Sequence, residues 1–123
     1  MVKRVGTWWI RDGLDERRTE ARGFGEIWDL LSGFNWTEDH GDTNVLKKDF
    51  IETANYNEKV DQVDLMFMCT HGDYDLGVSS TYGRGFSTSD GKVNKSDTID
   101  WGKRDLEYFS THACRLLYHS STN

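Results

Sequence analysis

Apolar residues along this 123-residue chain fall into short runs separated by polar, glycine-containing stretches. Residues 2–10 (VKRVGTWWI) are β-rich and predict a first strand. Residues 11–22 are charged and contain Gly13, which reads as a loop leading into a helix. Within residues 23–31 (GFGEIWDLL), Ile27, Leu30 and Leu31 recur at helical spacing, and Gly33 stops that helix. Phe34, Asn35 and Trp36 form a short second strand, followed by a polar turn over residues 38–43 (EDHGDT). Val45, Leu46, Phe50, Ile51 and Ala54 place an amphipathic helix over residues 44–57, capped by Thr43 or Asn44.

Residues 61–69 (DQVDLMFMC) give the strongest strand signal. They are nearly continuously apolar, as a strand covered on both faces in a parallel sheet must be. Residues 73–98 are rich in Gly, Ser, Thr and Asp and read as a loop or short hairpin, with Ser89-Asp90-Gly91-Lys92 as a turn. A connection this long in a small domain usually carries function. Residues 106–110 are the next strand, and residues 115–119 open a helix. This alternation predicts an α/β fold with a mostly parallel sheet between layers of helix, in one domain spanning residues 1–123 with no internal repeat or linker.

The net charge of −6 argues against a nucleic-acid partner, which would need a basic face, and against an acidic membrane surface. No apolar run reaches the length of a membrane span, and Met1-Val2-Lys3-Arg4 leads into no signal-peptide hydrophobic region, so the expected location is the cytoplasm. The two cysteines, Cys69 and Cys114, are too few for a disulfide framework and are expected as thiols.

Chemistry concentrates where two apolar runs end. One leads into Thr70-His71-Gly72 and the other into His112-Ala113-Cys114-Arg115. The carboxyl ends of strands in an open α/β sheet are where ligands bind. A Cys there is activated as thiolate by a helix N-terminus or a neighbouring imidazolium. Cys114 is therefore the candidate nucleophile and His71 the candidate base, with Gly72 offering a backbone N–H to an oxyanion. Cys69, His71, His112 and Cys114 also form a set of N and S donors suited to zinc, an alternative chemistry for the same strand ends. Arg11 and Arg18, in a cluster with Arg17 and Arg22, could hold a carboxylate bidentately, although interleaved acids make a solvated segment the simpler reading. His40-Gly41-Asp42 repeats the His-Gly-Asp string of residues 71–73 but reads as a surface turn.

An apolar strand ending in His-Gly, a loop, then a strand ending in Ala-Cys resembles the active-site signature of the caspase-like cysteine peptidases. That group spans caspases, metacaspases, gingipains, clostripain and legumain. Asp90-Gly91-Lys92-Val93 resembles the hairpin those enzymes carry between their two catalytic residues. Arg17-Arg18-Thr19, followed by a helix and Gly33-Phe34, is similar to the start of the caspase large subunit. The resemblance implies a caspase-like three-layer α/β sandwich and a hydrolase that cleaves peptide bonds with a His71–Cys114 dyad, without cofactor or metal. It also implies a peptide or protein substrate, with Arg18, Arg11 and His112 near the substrate. Two departures stand out: His112 occupies the position of the caspase Gln before Ala-Cys, and Leu116 stands where Gly would be, so strict aspartate specificity is not carried over. His71 and Cys114 are 43 residues apart, against about 50 in caspases. The chain ends nine residues after Cys114, so the sheet is expected to be incomplete on its C-terminal side and completed by a second subunit or another copy. A catalytically silent interaction module of the same fold is the non-enzymatic alternative.

Overall fold

The structure, a computed structural model, describes residues 1–51, 58–75, 83–94 and 101–112. In chain order the regular elements are β1 (Lys3–Trp9), α1 (Asp15–Asp29), β2 (Phe34–Gly41), β3 (Leu65–Cys69), β4 (Gly72–Asp75), β5 (Gly83–Thr88), β6 (Gly91–Asn94) and β7 (Tyr108–His112). Short 3-10 turns cover Asp42–Asn44, Lys47–Asp49 and Lys59–Gln62. β2, β1, β3 and β7 form a four-stranded parallel sheet in that order, and β4, β5 and β6 form a small antiparallel sheet. The chain is an α/β protein.

β3 shows why its sequence is continuously apolar. All five residues are buried, and alternation sends them to two cores. Met66 and Met68 join Trp8, Val45, Phe50, Val60, Val63, Phe86 and Val93 on one face. Phe67 and Cys69 face α1 on the other, beside Ala21 and the partly buried Phe24 and Trp9. Among the described residues, α1 covers one face of the parallel sheet, and the 3-10 turns with the small antiparallel sheet cover the other.

Several expectations are corrected. The helix starts at Asp15, so the charged segment before Gly23 is helical rather than a loop; Asp15 and Glu16 suit the partial positive charge of a helix N-terminus. Its inward positions are Ala21, Phe24 and Gly25, not the predicted apolar stripe: Ile27 is 65% and Leu30 86% exposed. β2 runs on through Gly41 and absorbs the expected polar turn, with a register shift at Thr37 where Val5 pairs Trp36 and Gly6 pairs Glu38. His40 therefore lies on a strand, its ring stacked on Trp8 with centroids 5.3 Å apart. Where a helix was expected over residues 44–57, the described part is 3-10 turns that still bury Val45 and Phe50; residues 52–57 lie outside the described residues. Residues 61–64 precede β3 rather than belong to it. The turn at Ser89 and Asp90 joins β5 to β6 as expected, and the helix expected at 115–119 lies outside the described residues. Among the described residues no helix is long and apolar enough to cross a membrane.

Candidate functional site

In the sheet order β2-β1-β3-β7, the chain turns to one side after β1 and reappears on the other with β3. The gap between the carboxyl ends of β1 and β3 is thus the topological switch point, where connections diverge and leave room for a ligand. Cys69 ends β3 and His112 ends β7, and the two are paired in register. In a parallel pair, residues in register project from the same face, so both side chains point toward α1.

The helix supplies a third group by matched spacing. Phe24 stacks on Phe67 with ring centroids 5.1 Å apart. Glu20 lies one helical turn earlier, and Cys69 lies two strand residues later. Those steps are both about 6 Å, so Glu20 arrives over Cys69. His112 Nδ1 donates to the Glu20 carboxylate at 2.8 and 2.9 Å, and the Cys69 thiol lies 3.7 Å from Glu20 Oε2. The donor atoms of Glu20, Cys69 and His112 all fall within 4.8 Å of one another. They line a cavity of about 170 Å³ together with Leu14, Glu16, Arg17 and Thr70. Arg17 directs its guanidinium at the Ile10 and Arg11 carbonyls.

His71 follows at the same edge with an exposed side chain. Its backbone is fixed on both sides. The buried Thr70 donates its hydroxyl to the Ser87 carbonyl at 2.8 Å, and the His71 carbonyl accepts the Ser87 N–H at 2.8 Å. Ladder alternation then makes Gly72 and Phe86 the non-hydrogen-bonded pair, so the Gly72 N–H points away from β5. Cys114, the second member of the expected dyad, lies outside the described residues. Of the four donors expected for zinc, Cys69 and His112 come together, and Glu20 joins them.

Arg11 and Arg18 line a different cavity, of about 460 Å³, with Asp15, Thr19, Arg22, Gly23 and Glu26 on another stripe of α1. Both guanidinium groups lie 5.7 Å from the Trp9 ring centre. Arg11 is committed to Asp42 through contacts of 2.8 and 2.7 Å. Burial pushes the Asp42 carboxyl up, but hydrogen bonds from the Arg11 backbone and side chain, with the Arg11 and Arg18 charges, outweigh it and hold the group below its ordinary value. These arginines do not share a cavity with His112.

Sequence reasoning missed Glu20, because a charged stretch placed in a loop presents no face. Starting the helix at Asp15 would have put Glu20 one turn before Phe24.

Fold and edge together define an α/β domain with a cluster of Glu20, Cys69 and His112 at the carboxyl end of a parallel sheet. Residues 3–123 match the model of DUF6345, a domain of unknown function, and the chain belongs to that family. No curated protein and no solved structure matches it.

Proposed function

We propose that this domain is a cysteine-type peptidase of caspase-like fold in which Cys114 is the nucleophile and His71 the base. The observation that carries the reading is the in-register parallel pair Cys69 and His112: His71 and Cys114 each stand two residues beyond it in the sequence. Two residues of chain reach at most about 7 Å, so in this reading the dyad forms just beyond that pair. The small antiparallel sheet between β3 and β7 supports the reading, since it falls where the caspase-like enzymes carry their hairpin.

In this mechanism the Cys114 thiol gives its proton to His71 and the thiolate attacks the carbonyl carbon of the scissile bond. The Gly72 N–H, turned away from β5, stabilises the oxyanion together with the Cys114 N–H. His71 returns the proton to the leaving amine, and water then hydrolyses the thioester, regenerating the thiol. An acidic residue before the cleaved bond is preferred if Arg18, the arginine on Trp9 not tied to Asp42, reaches the substrate.

The test is labelling with a peptidyl electrophile that requires an activated thiol, followed by mass mapping. Modification at Cys114 that is lost in His71→Ala is expected. Modification at Cys69 alone, or equal labelling of the His71→Ala protein, would overturn the proposal.

A further inference from the structure

We propose that Glu20, Cys69 and His112 form a binding site for a zinc-class divalent cation at the carboxyl edge of the parallel sheet. The site shares an edge with the dyad proposed above but does not rest on it.

Three independent features converge. The donors are a thiol, an imidazole and a carboxylate, the mixed S, N and O set that suits zinc and neighbouring transition metals rather than magnesium or calcium. They come from three elements, α1, β3 and β7, and each is placed by structure outside the cluster: Glu20 by the Phe24–Phe67 stack, Cys69 and His112 by the strand register. They open onto a cavity of about 170 Å³ between α1 and the carboxyl ends of β3 and β7.

Two of the three ligand–ligand distances lie close to those around a bound ion, and the third, between Cys69 and His112, lies within 4.8 Å. Around a tetrahedral zinc, with bonds of about 2.0–2.3 Å, neighbouring ligand atoms lie about 3.3–3.5 Å apart. The Cys69 sulfur and Glu20 oxygen, 3.7 Å apart, already span such an edge. The Glu20–His112 contact of 2.8 Å has to open by about half an ångström, the change from a hydrogen bond to two ligands of one ion. Glu20 and His112 are 43% and 67% exposed in their side chains, so both are free to make that adjustment.

Proton accounting is explicit. The Glu20 carboxylate can only accept, so His112 carries its proton on Nδ1 in the pair. Binding through Nδ1 moves that proton to Nε2, and the Cys69 thiol releases its proton to water as the sulfur–metal bond forms. With the imidazole neutral at the start, about one proton leaves per ion bound. Three protein ligands leave a fourth position facing the cavity wall formed by Leu14, Glu16, Arg17 and Thr70. The Arg17 guanidinium in that wall donates to the Ile10 and Arg11 carbonyls, just beyond β1. Such an open position is the arrangement of zinc that binds water or substrate, in contrast to a closed structural site.

The experiment uses the full chain, stripped with a chelator and titrated with Zn²⁺, and separately with Co²⁺ as a coloured substitute. One equivalent of Zn²⁺ is expected to bind with release of about one proton. Co²⁺ is expected to give intense tetrahedral ligand-field bands and a thiolate-to-metal charge-transfer band. Groups that merely orient a metal ligand are worth about 10–100-fold in affinity. Removing a ligand by Glu20→Gln, His112→Asn or Cys69→Ser should therefore weaken Zn²⁺ binding by more than about tenfold. Glu20→Gln changes only an exposed helix position, so its circular dichroism should match the parent even if Cys69→Ser perturbs folding. Cys114→Ala should keep both stoichiometry and charge-transfer band, which separates this site from the dyad. Absence of saturable Zn²⁺ uptake, unchanged affinity in Glu20→Gln, or a charge-transfer band that disappears in Cys114→Ala would each overturn the proposal.

Discussion

The Asp61 carboxylate is 1% exposed and accepts three backbone N–H groups, from Gly102 at 2.9 Å and from Arg104 and Leu106 at 3.1 Å. These bonds hold the segment that delivers β7 to its place beside β3. Hydrogen bonds to a charged acceptor contribute about 1.5–3 kcal/mol each, and buried donors left unpaired add their own cost. Asp61→Ala should therefore destabilise the fold by roughly 3–5 kcal/mol in urea unfolding, with Asp61→Asn losing less. Nothing in the sequence distinguishes Asp61 from the neighbouring acids Asp64 and Glu58, since its partners lie 41 to 45 residues away. Asp90 plays a smaller version of this role. The Lys47 backbone N–H, joined by the Thr88 hydroxyl, holds its carboxyl below the ordinary value against the opposing effect of burial. Asp42 is also lowered. A carboxyl lowered in the folded state contributes stability at neutral pH that is lost as pH falls through its folded pKa. Asp90→Asn should thus cost stability at pH 7, and its deficit relative to the parent should vanish in strong acid. A deficit that persists unchanged through acid titration would contradict the assignment.

Helix α1 carries two interior glycines with opposite expected behaviour. Gly23 has no atom within 4 Å of where a Cβ would stand. Gly23→Ala should stabilise by about 0.5–1 kcal/mol through helix propensity. Gly25 is packed against the Trp36 indole, which a Cβ would overlap, so Gly25→Ala should lower the melting temperature and shift the β2 side of the sheet. The helix also shows where sequence periodicity gave out. Its buried stripe is made of Ala21, Phe24 and Gly25, two of them small, while the conspicuous Ile27 and Leu30 face outward. A small-residue stripe lets α1 lie close to the sheet but leaves a weak hydrophobic signal, and interleaved Arg and Glu look alike in a loop and on a solvated helix face. The strands were legible for the opposite reason. β1, β3 and β7 are central or partly covered, so β-branched, aromatic and apolar residues accumulate there regardless of what surrounds them. Val45, Leu46, Phe50 and Ile51 fit a helix by spacing, yet Val45 and Phe50 are buried as the residues that directly follow two 3-10 turns.

The molecule brings its reactive groups to one end because its four main strands are parallel. Every strand then points its carboxyl end the same way, and His71 and His112 were visible from sequence because each ends an apolar run. Glu20 was not, since its position depends on where α1 begins and on the Phe24–Phe67 stack that sets its height. Two kinds of chemistry meet at this edge: the proposed thiol dyad just beyond the strands, and the proposed metal ligands at their last residues. They make separable demands on the two cysteines, Cys69 for the ion and Cys114 for the acyl transfer. Hydrolysis of a mixed peptide pool by the metal-stripped chain, compared between the parent, Cys69→Ser and Cys114→Ala, tests the central claim most directly. Cleavage that survives in Cys69→Ser and is abolished in Cys114→Ala is the expected result, and cleavage undiminished in Cys114→Ala would contradict it.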